Sequence, residues 1–132
     1  MKCLVVTPER TELDIEAASV VLPLIDGEYG ILPGHTPVVA RIGAGELNIV
    51  GTDGVVTQYY VEGGFLEVLD NVVALLTMTA VPASELNVER AEKNLQTALE
   101  RPMNTPELAA LREERVYCRR ARLRMAKKVA GQ

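Results

Sequence analysis

The chain holds a single histidine, His35, in the segment Asp26-Gly27-Glu28-Tyr29-Gly30-Ile31-Leu32-Pro33-Gly34-His35-Thr36-Pro37, which also carries two carboxylates. An imidazole near carboxylates is the raw material of general acid–base chemistry. Here the surrounding residues are turn formers, so Asp26 and Glu28 read as turn residues of a rigid, exposed loop. His35 reads as a side chain that bonds the loop backbone. No Ser, His and acid grouping suggests itself. There is no G-x-x-x-x-G-K-[ST] phosphate loop, and Gly43-Ala44-Gly45 is a lone G-x-G in a strand-rich region. One His with the distant Cys3 and Cys118 cannot build a structural zinc site of ordinary composition. Two cysteines are also too few for a disulfide framework, so a reduced compartment is expected, with both thiols as small apolar residues. The expectation is a chain with no catalytic residue, no metal and no required cofactor: a non-enzymatic partner protein.

The second group of chemistry-bearing residues is cationic. Residues 105 to 132 hold eight basic and three acidic groups, a balance of +5, which leaves −9 for the rest of a chain whose net charge is −4. An acidic body with a basic end suggests that the two parts face different partners, or each other.

The elements that position these groups follow from hydrophobic period. Over residues 2 to 80, short apolar and β-branched runs span 4–7, 19–24, 38–42, 47–50, 55–61, 65–69 and 72–79. Asp26-Gly27, Pro33-Gly34, Asp53-Gly54, Gly63-Gly64 and Asp70-Asn71 punctuate them. Many short strands at close spacing predict an antiparallel sandwich with an aliphatic core, since the chain has one Phe and no Trp. After Pro82 the period changes. Val88, Ala91, Leu95, Ala98 and Leu99 fall on one helical face, with Asn87 or Ser84 as cap. Arg101 to Pro106 reads as a turn, with Thr105 as the next N-cap and Pro106 at the first helical position. The second helix should run to about Val129, with Leu111, Cys118, Ala121, Met125 and Val129 as its apolar stripe. Arg112, Arg115, Arg119 and Arg122 form a basic stripe beside it. The fold class is therefore mostly β with an α C-terminal part: residues 1–83 as an antiparallel β-sandwich, then 84–132 as an antiparallel two-helix hairpin. No apolar run approaches a membrane span. The opening residues read straight into a strand without a signal-peptide pattern, so the chain is expected to stay where it is made.

The Asp26–Pro37 segment resembles the signature loop of the epsilon subunit of F-type ATP synthases. Val61-Glu62-Gly63-Gly64-Phe65-Leu66-Glu67-Val68 resembles that family's second recurrent stretch, and Val6-Thr7-Pro8-Glu9 and Val73-Ala74-Leu75-Leu76 also fit. The resemblance covers essentially the whole chain. It implies a ten-stranded sandwich bound to the gamma subunit in the central stalk, with one end facing the ring of c subunits. By the same resemblance, Glu28 and His35 are c-ring contacts. The hairpin is then a regulatory arm, whose basic face of Arg112, Arg115, Arg119 and Arg122 reaches acidic surfaces of the alpha and beta subunits and inhibits ATP hydrolysis. Some members bind ATP as a regulatory ligand through an [I/L]-D-x-x-R-A motif. The match here is Leu86-Asn87-Val88-Glu89-Arg90-Ala91, with Asn87 in place of the Asp, and Arg120 and Arg124 fall at the arginine positions of the second helix. Thr97 stands where the family has a further arginine. The implied location is peripheral, on the cytoplasmic side of a bacterial inner membrane or the stromal face of a thylakoid.

Two readings from other classes stand beside this one. A free-standing adenine-nucleotide sensor would bind ATP tightly without associating with gamma. Nucleic-acid binding through the basic helix is opposed by the acidic body, the pI of about 5.1 and the scarcity of aromatics for stacking.

Overall fold

A computed structural model describes residues 1–131, which form two compact units, Met1–Pro82 and a second that begins at Ala83. The first unit contains β1 (Lys2–Val6), β2 (Thr11–Leu24), β3 (Gly27–Ile31), β4 (Val38–Arg41), β5 (Ala44–Gly51), β6 (Val56–Glu62), β7 (Phe65–Leu69), β8 (Val72–Leu76) and β9 (Thr79–Pro82). One layer runs β4-β7-β8-β1-β2 and the other β3-β2-β5-β6-β9. Strand β2 belongs to both. Its first half pairs with β1 up to Glu16, and from Ala17 onward it pairs with β5 and then β3. The nine strands among the described residues thus supply five segments to each layer. The ten strands implied by resemblance become nine because β2 is continuous through the corner.

The pairing is antiparallel except for β1 against β8, which is parallel from Lys2↔Val72 to Val6↔Leu76. Period-two alternation directs Cys3 and Val5 of β1, Leu47 and Ile49 of β5, Leu66 and Val68 of β7, and Val73 and Leu75 of β8 into one aliphatic core. Each fully buried Leu, Ile or Val contributes about 1.5–3 kcal/mol relative to exposure.

Two sequence expectations change. The segment read as a loop from Asp26 to Pro37 is a strand in its first half. Strand β3 pairs with β2 from Val20↔Ile31 to Leu24↔Gly27, and Ile31 enters the core. The glycines at 27 and 30 masked the alternation of Tyr29 and Ile31 inward with Glu28 and Gly30 outward. The run 72–79 is two strands rather than one. The chain leaves the first layer at Thr77 and rejoins the second as β9 against β6. Thr77, 1 % exposed, carries the crossing. Its N–H donates to the Val6 carbonyl at 2.9 Å, and its hydroxyl lies 3.1 Å from the carbonyls of both Glu62 and Thr79. That backbone-directed bonding satisfies a polar group inside an apolar wall.

The second unit opens with a short 3-10 turn at Ala83–Glu85, followed by α1 (Val88–Leu99) and α2 (Pro106–Ala130). Asn87 caps α1, accepting from the Arg90 N–H at 2.9 Å. Thr105 caps α2, accepting from the Leu108 N–H at 3.1 Å, with Pro106 in the first turn. The two helices pack on each other, and the turn preceding α1 also touches α2, so the hairpin is antiparallel. Its buried positions are Ala91 and Ala98 on α1 and Val116, Ala121, Met125 and Ala126 on α2. The expected α2 stripe holds at buried Ala121 and Met125 and at half-buried Cys118 and Val129, with one exchange at its start. Leu111 is exposed and Val116 is buried. Here α2 presents Arg112 to the end of α1, which turns Leu111, about 100° round the helix, to the exposed side.

Candidate functional site

Two connections meet at one end of the sandwich: the loop from Leu32 to Pro37 and the β7–β8 turn at Asp70-Asn71. The β2–β3 turn lies at the other end of β4, where the Ile25 N–H donates to the Arg41 carbonyl at 3.2 Å. The loop is held from two sides. The Gly34 N–H donates to Asn71 Oδ1 at 3.0 Å, and the His35 N–H donates to the Leu32 carbonyl at 3.2 Å. Asn71 can reach because it sits at φ 63° in a two-residue left-handed turn with Asp70, a conformation that Asn and Asp tolerate.

The His35 ring bridges strand and loop. Nδ1 lies 2.6 Å from the Thr36 carbonyl oxygen, which can only accept, so Nδ1 carries the proton. In the neutral imidazole Nε2 is then the acceptor, and the Tyr29 hydroxyl donates to it at 2.6 Å. The two rings meet edge to face, with centroids 5.5 Å apart. His35 thus bonds the loop backbone, as its residue type suggested, and in addition ties the loop to β3. Glu28 is exposed on β3, opposite Pro23 and immediately before Tyr29. Leu32 is also exposed here, at 64 %. The cross-linked loop thus carries exposed Leu32, with the Glu28 carboxylate on the strand to which it is tied. Among the described residues, no group of His, Cys, Asp and Glu could hold a metal ion.

The sequence singled out Glu28 and His35 but missed Tyr29 and Asn71. Both were visible as residue types, one in the motif and one in a turn. Nothing in a linear sequence pairs residue 34 with residue 71.

The hairpin's candidate residues separate into groups. Leu86, Asn87, Arg90 and Ala91 gather at the start of α1. Asn87 and Arg90 line an open hollow with Glu89, Glu92, Lys93 and Gln96, and neither Arg120 nor Arg124 lines it. Arg120 and Arg124 are exposed on α2. Of the basic stripe, Arg112 donates from Nε and Nη2 to the Leu99 carbonyl, at 3.3 and 3.1 Å. Arg115 and Arg119 line a separate cleft with Asn94, Thr97, Ala98 and Arg101, and Arg122 is half-buried. Among the described residues, no helix is long and apolar enough to cross a membrane.

Comparison with known proteins gives a consistent pattern. Residues 1–83 match the family model described as ATP synthase, Delta/Epsilon chain, beta-sandwich domain. The chain is 43% identical over 127 residues to the ATP synthase epsilon chain of Rhodopirellula baltica, covering 96% of this chain and 98% of that one. It is 38% identical over 128 residues to the epsilon chain of Rubrobacter xylanophilus, with 96% and 83% covered. It is 36% identical over 96 residues to the sodium ion specific epsilon chain of Propionigenium modestum, with 73% and 69% covered. Among solved structures, a chain of the Euglena gracilis mitochondrial ATP synthase, OSCP/F1/c-ring, superposes with a TM-score of 0.80 at 25% identity, covering 98% of this chain and 80% of that chain. A chain from the central stalk and c-ring of the Tetrahymena thermophila mitochondrial enzyme shares the fold, with a TM-score of 0.79 at 17% identity and 96% of each chain covered.

Proposed function

This chain belongs to the epsilon-chain family of ATP synthases, an accessory component peripheral to the membrane complex, and we propose that its sandwich joins the gamma subunit to the c-ring while its hairpin restrains ATP hydrolysis. The observation that carries this reading is the division of the chain at Pro82 into two units that each hold their own packed elements. A dock and an arm can then act separately.

In this reading the cross-linked end of the sandwich meets the polar loops of the c-ring. Glu28 supplies charge, Leu32 supplies apolar area, and the Tyr29–His35 and Gly34–Asn71 bonds keep the surface preorganised, which lowers the entropy lost on docking. His35 acts through the loop it holds. The arm works through charge. Arginines on α2 attract carboxylates of the alpha and beta subunits at long range, and the modest apolar seam of the hairpin keeps its alternatives close in free energy. In this reading the chain lies on the cytoplasmic side of a bacterial inner membrane or the stromal face of a thylakoid.

The test is ATP hydrolysis by the catalytic complex of the same organism, with the full chain against a chain ending at Pro82. Intact gamma binding with faster hydrolysis after truncation supports the reading. Unchanged hydrolysis removes the regulatory half. A free-standing nucleotide sensor would instead bind ATP tightly and fail to bind gamma at all.

A further inference from the structure

A cleft of about 360 Å3 opens on the hairpin, lined by Asn94, Thr97 and Ala98 of α1, Arg101 of the interhelical turn, and Arg115 and Arg119 of α2. Three guanidinium groups share this cleft with no carboxylate. None of the three forms an ion pair or donates a hydrogen bond among the described residues. Arg112 shows the contrast, since it lies on the same helix and is spent on the end of α1. Cations near a helix C-terminus gain from its partial negative charge. That accounts for Arg112, which meets the carbonyl directly, but not for three further arginines gathered around one hollow, which repel each other.

We infer that this cleft binds a phosphate-type oxyanion. Guanidinium groups present several N–H donors in a fixed fork that matches phosphate oxygens, and three of them can surround a tetrahedral anion. Asn94 adds an amide donor. The Thr97 hydroxyl is already committed to the Lys93 carbonyl at 3.0 Å, so it fixes the wall rather than the ligand. The lining holds no aromatic side chain and only one apolar residue, Ala98. Nothing there would stack a base, so phosphate oxygens alone carry recognition. The volume is at the lower end of the ~300–1,000 Å3 of small-molecule clefts, which suits phosphate with its water or pyrophosphate. The site is distinct from the start of α1 and from Arg120 and Arg124, none of which lines it.

Such an anion touches both helices and their turn, so it closes the hairpin and screens Arg115 and Arg119. The consequence for inhibition rests on the reading of α2 as a restraining arm, whereas the binding itself does not.

The experiment is titration of the full chain with inorganic phosphate, pyrophosphate and ATP at constant ionic strength, with chloride as the balancing anion. Amide shifts are followed by NMR. Pyrophosphate should saturate shifts at Asn94 and Thr97 with a dissociation constant of about 1 mM or tighter. Arg101→Gln, and separately the pair Arg115→Gln and Arg119→Gln, should weaken it at least about tenfold. The pair Arg120→Gln and Arg124→Gln should leave it within about twofold. Arg101 is exposed and its side chain holds nothing, so its variant folds even if the α2 pair does not. If Arg101→Gln also weakens ATP, nucleotide phosphates use the cleft. If it weakens only the inorganic anions, the ligand is free phosphate. Absence of saturable shifts at Asn94 and Thr97 overturns the site, as does equal loss of binding in the Arg120 and Arg124 variant.

Discussion

The Arg112 guanidinium closes the C-terminal end of α1 by donating from Nε and Nη2 to the carbonyl of Leu99, thirteen residues earlier. The last carbonyls of a helix have no partner within it, and a charged donor there satisfies one and complements the helix dipole. Arg112 is thus a latch of the hairpin as well as a member of the basic stripe.

Removing that latch has a local signature. Arg112→Gln should destabilise the end of α1 by about 0.5–1.5 kcal/mol. The amides of Glu100 and Arg101, which donate to Gln96 and Ala98 across this last turn, should exchange roughly two- to tenfold faster. Exchange measured by NMR on the full chain decides it. Unchanged protection would mean that the contact adds nothing to the hairpin.

The Tyr29–His35 pair gives a spectroscopic prediction. With Nδ1 donating to Thr36 and Nε2 accepting from Tyr29, neutral His35 should be the Nδ1–H tautomer, the less common form of a free imidazole. Nitrogen chemical shifts of the ring will report it directly. Tyr29→Phe removes the donor, so the tautomer preference should weaken and stability should fall by about 1 kcal/mol in a denaturant titration.

How much of this was legible in the sequence depends on the range of the interaction. Asn87, Thr105 and Pro106 cap the helices as expected, because capping is decided within three or four residues. Strand β7 was also legible, as a short apolar run from Phe65 to Leu69 between the turn residues Gly63-Gly64 and Asp70-Asn71, although the alternation itself shows only in its burial. Strand β3 was hidden, because its partner β2 supplies most of the hydrophobic pattern while Gly27 and Gly30 dilute its own. The layer change at Thr77 was hidden for another reason. Thr77 fits a strand by propensity, and only the carbonyls of Val6, Glu62 and Thr79 show that it is a corner. On the candidate site, residue types pointed to Glu28 and His35, but the tie between Gly34 and Asn71 spans 37 residues and depends on sheet register.

Glycines 64 and 30 should respond oppositely to alanine. Gly64 sits at φ +94°, and a Cβ there would meet the Leu76 carbonyl and lie 2.8 Å from both Leu76 C and Thr77 Cα. These are backbone atoms of β8 and its corner, and they cannot turn aside. Gly64→Ala should cost about 3 kcal/mol or more, a large share of a small domain's stability. Gly30 has nothing within 4 Å of a built Cβ and lies in β3. Gly30→Ala should therefore be neutral or stabilising by up to about 1 kcal/mol. Thermal melts of the two variants side by side test the contrast.

Cys3 sets an alkaline limit to stability. Its side chain is fully buried on β1, and burial pushes the thiol from 9.0 up to about 12, with the nearby terminal ammonium pulling the other way. Below about pH 9 the thiol is neutral in the folded and unfolded chains alike, and its contribution is fully present. As pH rises from 9.0 toward about 12, only the unfolded chain ionises, so stability falls, with a slope of at most about 1.4 kcal/mol per pH unit from this group. Other groups titrate in the same window, so the measurement is the difference between the natural chain and Cys3→Ala. The variant should start less stable at pH 8 because it leaves a small cavity, and the gap should narrow as pH approaches 11. Alkylation gives an independent check, since half-buried Cys118 should react in the folded chain while Cys3 waits for unfolding. A gap that stays constant with pH, or Cys3 labelling at the rate of Cys118, would show that the thiol is not sealed in the core.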